Sequence, residues 1–136
     1  MARLTIRIDF ETGASLGPGK IGLLEAIGKT GSIRNAAEAV GMSFRQGWLL
    51  LKAIEEMFGQ PVITTQRGGT RGGGSRLTEL GRLVVVSYRQ LERASTAAAQ
   101  KELAALEKRL NPSAPAARHR KISRKALKGK RKESGS

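Results

Sequence analysis

The chain has 136 residues, 25 Lys+Arg against 11 Asp+Glu, a net charge of +14, one His and no Cys. Zero Cys excludes a disulfide scaffold, thiolate metal sites and cysteine catalysis, and a single His119 argues against a Ser-His-Asp triad or a multi-His metal site. An enzyme is therefore not expected, nor a cofactor or a metal, and the basic excess points to an acidic polymer, above all nucleic acid.

From the N-terminus, Leu4, Ile6, Ile8 and Phe10 alternate with Arg3, Thr5, Arg7 and Asp9. That period of two predicts a half-buried strand. The segment does not read as a signal peptide, and no apolar run approaches the roughly 20 residues of a membrane span, so no membrane partner and a cytoplasmic location are expected. After Gly13, Gly17, Pro18 and Gly19 the period changes. Ile21, Leu24 and Ile27, broadened by Leu23, predict a helix ending near Gly31. Ser32 caps a second, short helix with Ile33, Ala36, Ala37 and Val40 on its apolar face, and Gly41 ends it. Ser43 caps a third helix. Its inward stripe reads as Phe44, Gly47, Trp48, Leu51, Ile54 and Phe58, with Arg45, Gln46, Leu49, Lys52 and Glu56 outward.

Pro61 to Thr65 reads as a short strand. The glycine- and arginine-rich stretch from Gln66 to Arg76 follows as a loop, with Leu77 and Thr78 as the return strand of a hairpin. Thr78 also caps a last helix. Leu80, Leu83, Val84, Ser87, Leu91, Ala94 and Ala98, then Leu103, Leu106 and Leu110, carry its apolar repeat from about Glu79 to Leu110. A domain this small cannot cover so long a stripe, which predicts a second copy of the same helix in a homodimer. Beyond Asn111-Pro112 the composition predicts a disordered basic tail, with nine Lys+Arg and one Glu over 111–136.

The expected fold is mostly α with a small β component. It is a winged helix-turn-helix over 1–78, a dimerisation helix over 79–110 and the tail over 111–136. The helix pair 32–40 and 43–58, joined by a tight glycine turn, is the helix-turn-helix, and the hairpin is its wing. A helix about 10–12 Å wide enters the major groove of double-stranded DNA with its N-terminal residues on base edges. Those residues are Ser43, Arg45 and Gln46. Arg pairs with guanine and Gln with adenine, while the helix N-terminus and Ser43 suit a phosphate. In the wing, Arg67, Arg71 and Arg76 supply phosphate or minor-groove charge. In the tail, Arg118, Lys121, Arg124 and Lys125 supply sequence-blind grip. Trp48 in the apolar stripe reads as core rather than as a base-stacking residue. The glycine loop lacks the Gly-Lys-Ser/Thr ending of a nucleotide-binding P-loop.

Thr30-Gly31-Ser32-Ile33, Ala36-Ala37, Val40-Gly41-Met42-Ser43-Phe44-Arg45 and Trp48 resemble the N-terminal domain of ModE-type molybdate-responsive transcription regulators. So do the wing Gly68-Gly69-Thr70-Arg71-Gly72-Gly73-Gly74 and the following Leu77-Thr78-Glu79-Leu80-Gly81. The LysR-type winged helix is the broader relative. The resemblance spans about residues 15–95. It implies a homodimer on a palindromic operator, with Ser43, Arg45 and Gln46 in the recognition helix and Arg67, Thr70 and Arg71 in the wing. Gln46 and Gly47 depart from the basic residue and Ala common in the family. Full-length members add oxyanion-binding domains for which this chain leaves no room, so molybdate sensing is not expected to carry over, and the nature of any small-molecule effector is left open. The competing readings are an architectural nucleic-acid binder gripping through the tail and an interaction module whose long helix pairs with a different protein.

Overall fold

The computed structural model describes residues 2–66 and 74–115, in two compact units that divide after Leu103. In the first unit, β1 (Ile8–Asp9) and β2 (Ser15–Leu16) form an antiparallel pair. Helices α1 (Pro18–Thr30), α2 (Ile33–Ala39) and α3 (Phe44–Phe58) follow. Next come β3 (Ile63–Gln66) and β4 (Gly74–Leu77), then α4 (Glu79–Ala98) and α5 (Gln100–Glu107), whose second half belongs to the other unit. The second unit holds that half and the turns up to residue 115, all exposed.

The N-terminal alternation is real, but its partner is mostly not a strand. Leu4, Ile6 and Ile8 are half-buried and Arg3, Thr5, Arg7 and Asp9 exposed, yet only Ile8–Asp9 pairs as a ladder. The rest lies on α4: the Leu4 N–H donates to Thr96 Oγ1 (3.1 Å), and the buried Tyr88 hydroxyl donates to the Ile6 carbonyl (2.5 Å). Burial raises the Tyr88 pKa.

The core gathers Ile21, Leu23, Leu24 and Ile27 of α1, Ala36 and Ala37 of α2, Leu51 and Ile54 of α3, Val62, and Val84 and Tyr88 of α4. The α2–α3 turn is closed by the Met42 N–H on the Ala37 carbonyl (2.8 Å). Gly47 lets the two helices close up, since a β-carbon there would lie 3.0 Å from that of Ala37. The hairpin pairs Ile63 with Leu77 through to Gln66 with Gly74; its first strand starts two residues later and ends one residue later than the sequence suggests. Its return strand is tied to the end of α1 by the Ser75 N–H on the Gly31 carbonyl (2.7 Å). Thr78 is not a strand residue but the N-cap of α4, accepting from the Gly81 N–H and donating to the Pro61 carbonyl.

Two contacts seat α4. A β-carbon on Gly81 would run into the Val62 carbonyl oxygen. Arg89 makes a bidentate pair with Glu25 of α1 (2.6 and 2.9 Å) and a third bond to Glu92 (2.7 Å). The Arg89 guanidinium holds the Glu25 carboxyl below its ordinary pKa. The single helix expected over 79–110 is broken at Ala99, whose N–H is shared between the Ser95 and Thr96 carbonyls. Thr96 bonds back to the Glu92 carbonyl and Gln100 caps the Thr96 carbonyl, contacts of the kind that bend a helix.

Gly81→Ala is expected to cost about 1–3 kcal/mol, because a backbone oxygen has to move; chemical denaturation measures it. Glu25→Gln is expected to lower stability at pH 7 by about 0.5–1 kcal/mol. A depressed carboxyl contributes stability above its unfolded pKa and loses it as pH falls through the folded one. The gap between wild type and Glu25→Gln should therefore close below the ordinary glutamate range, as denaturation at pH 7 and pH 3 will show.

Candidate nucleic-acid interface

The third helix owes its start to a reciprocal cap. Ser43 Oγ accepts from the Gln46 N–H (3.1 Å), while Gln46 Oε1 accepts from the Ser43 N–H (3.0 Å). This capping box satisfies two donors that the helix leaves without intrahelical partners. It also commits part of both side chains to the backbone. A bidentate Gln–adenine pair needs the amide oxygen and nitrogen together, so Gln46 would have to share the oxygen that holds the cap.

The inner edge of α3 is Gly47, Leu51 and Ile54, all buried, flanked by half-buried Leu50, Met57 and Phe58. Trp48 is not core. It is 41% exposed, and Phe44 is 44% exposed. The reason is angular. Successive residues turn by about 100°, which carries Trp48 well away from the line through Gly47 and Leu51. Both rings are instead covered in part by cations. The Arg34 guanidinium lies 4.7 Å from the Phe44 ring centre, and the Lys52 ammonium 4.6 Å from that of Trp48. Arg45 and Leu49 complete the outer face, both exposed.

That face combines three cations with three apolar side chains: Arg34, Arg45 and Lys52 with Phe44, Trp48 and Leu49. Arg34 and the two rings were missed in the sequence as members of the interface. Arg34 belongs to α2 and reaches the face only through the tight turn. Arg76, exposed on β4, is the one expected wing cation within the described residues. Arg67, Thr70 and Arg71 of the wing, and Arg118, Lys121, Arg124 and Lys125 of the tail, lie outside them. Among the described residues no cluster of His, Cys, Asp or Glu suits a metal ion, and no helix is long and apolar enough to cross a membrane.

An order of helix, helix, tight turn, outward helix, hairpin and helix defines a winged helix-turn-helix, a DNA-binding class. Comparison with known proteins agrees. Residues 19–82 match the model of the bacterial regulatory helix-turn-helix protein, lysR family. Two similar proteins carry molybdenum in their names. The chain is 40% identical over 100 residues to the molybdenum-pterin-binding protein MopB of Rhodobacter capsulatus, covering 74% of this chain and 36% of that protein. It is 37% identical over 92 residues to the molybdenum transport protein ModE of Azotobacter vinelandii, covering 68% and 33%. The chain thus spans about a third of the length of these relatives. Among solved structures, the CbnR DNA-binding domain in complex with DNA shares the fold at a TM-score of 0.50 and 18% identity, over 65% of this chain and 95% of that one. Full-length LysG of Corynebacterium glutamicum with bound effector Arg does so at 0.51 and 21%, over 70% and 30%.

Ser43→Ala is expected to remove one half of the capping box and lower stability by about 1 kcal/mol, measured by thermal or urea denaturation.

Proposed function

We propose that the protein is a sequence-specific DNA-binding transcription regulator, acting in the cytoplasm as a homodimer on a palindromic operator and linked to molybdenum metabolism. The observation that carries this reading is the outer face of α3, where Arg34, Arg45 and Lys52 surround side chains that nothing in the domain buries. Arg45, in the first turn, is placed to meet a guanine edge, while Arg76 and the arginines of the wing suit phosphates or the minor groove. The names of the similar proteins support the molybdenum link.

The other face of the domain supports the homodimer. α4 turns Gly81, Val84 and Tyr88 inward, and leaves Leu83 59%, Val86 52% and Leu91 49% exposed. Leu83 and Leu91 border an apolar cleft of about 260 Å³, closed on its other sides by Phe10, Phe58 and Leu80. An uncovered apolar stripe of this kind marks an interface, and a second copy of α4 has the matching surface. The tail supports a narrower second reading: the net charge of residues 111–136 gives a sequence-blind grip on any polyanion.

Selection of binding sites from a random duplex library tests the proposal. The full chain is expected to enrich one palindrome. Arg45→Ala should relax one base pair in each half-site, at about 1–3 kcal/mol. Deleting residues 112–136 should weaken binding without changing the preferred sequence; loss of all preference would favour the tail-driven reading. Leu83→Glu with Leu91→Glu is expected to sediment as a monomer and to lose operator affinity.

A further inference from the structure

Large aromatic side chains on the outer face of a helix need a reason, since burial is their usual fate. Phe44 and Trp48 stand one helical turn apart on α3 and keep 44% and 41% of their surface open. Each is held by a cation, Arg34 at 4.7 Å and Lys52 at 4.6 Å from the ring centre. Such pairs restrict the rings before any partner arrives, and so reduce the ordering cost of binding. The cations require that whatever meets the rings be anionic around an apolar spot.

The major groove of DNA offers that combination. Its edges are lined by phosphates, and the apolar group it displays is the C5-methyl of thymine. Phe44 and Trp48 are separated by about 6 Å along the helix axis at 1.5 Å per residue, close to two base-pair steps of about 3.4 Å. We propose that Phe44 and Trp48 are specificity-determining residues that read thymine 5-methyl groups, beside the base read by Arg45. This rests on the reading that α3 enters the major groove. It adds an apolar half to the recognition code, one that polar side chains alone do not supply. It also explains why Gln46 can remain in its cap: adjacent A·T pairs are recognised through the methyl rather than through the adenine amide edge.

The test uses the duplex selected by the full chain. Each thymine is replaced in turn by deoxyuridine, which removes the methyl and keeps the base pair. Wild-type binding is expected to weaken about fourfold for each methyl that is read, the equivalent of one buried methylene. Trp48→Ala should bind the parent duplex less tightly and lose the penalty at one thymine of each half-site, and Phe44→Ala at another. Equal binding of all the deoxyuridine duplexes by the wild-type chain overturns the assignment, as does a penalty that persists in both variants. A selection that returns no preferred sequence overturns the major-groove reading itself, and the assignment with it.

Discussion

Where α3 sits in this domain is decided at Gly47. The residue faces Ala37 so closely that a β-carbon would come within 3.0 Å of the alanine methyl. With that edge pressed against α2, and Leu51 and Ile54 continuing the line into the core, the opposite edge has to face away from the domain. Everything proposed for the surface follows from this one orientation. Arg45 is outside because Gly47 is inside. Trp48 is turned about 100° from Gly47, and Phe44, in the first turn, stays 44% exposed although it points nearly along the line of Leu51. The glycine lowers the intrinsic helix propensity of α3 by up to about 1 kcal/mol relative to Ala. The capping box at Ser43 and Gln46 offsets part of this at the same end of the helix.

The second constraint is the seating of α4. Its inner face is fixed by the absence of a side chain at Gly81, by the Tyr88 hydroxyl on the N-terminal segment and by the Arg89–Glu25 pair. These contacts hold α4 in one place relative to α1 and, through α1 and α2, relative to α3. If α4 also joins two copies, the separation of the two outward helices is set by side chains that touch neither DNA nor the partner. A rigid spacing of this kind is what a protein needs to match half-sites one helical turn apart.

Much of this was legible in the sequence, and the failures share a cause. Caps and turns are local, so Ser32, Ser43, Gly41 and Thr78 mark the helix starts and the tight turn within a residue. The alternation of Leu4, Ile6 and Ile8 marks the buried side of the N-terminal segment correctly. It does not say that the surface opposite is a helix, because a period of two describes the segment alone. The stripe written for α4 has the same ambiguity. Leu80, Leu83, Val84, Ser87 and Leu91 do line one cleft, but the repeat does not say that the domain covers Val84 while leaving Leu83 and Leu91 exposed. On α3 the stripe was drawn too wide. Hydrophobicity alone places Phe44 and Trp48 inside, whereas the domain buries Gly47, Leu51 and Ile54 and half-buries Leu50, Met57 and Phe58. The break at Ala99 depends on side-chain bonds of Thr96 and Gln100 to the backbone, which no apolar repeat records.

In the proposed complex the outer face of α3 enters the major groove of a preferred DNA sequence. Methylation protection on the selected duplex tests it most directly, because guanine N7 lies in the major groove and adenine N3 in the minor. Guanine N7 protection is expected in two patches about 10 base pairs apart, one for each copy of α3. The protected guanine facing Arg45 is expected to become reactive again in Arg45→Ala. Protection confined to adenine N3, or guanine reactivity unchanged by a saturating amount of protein, would contradict it.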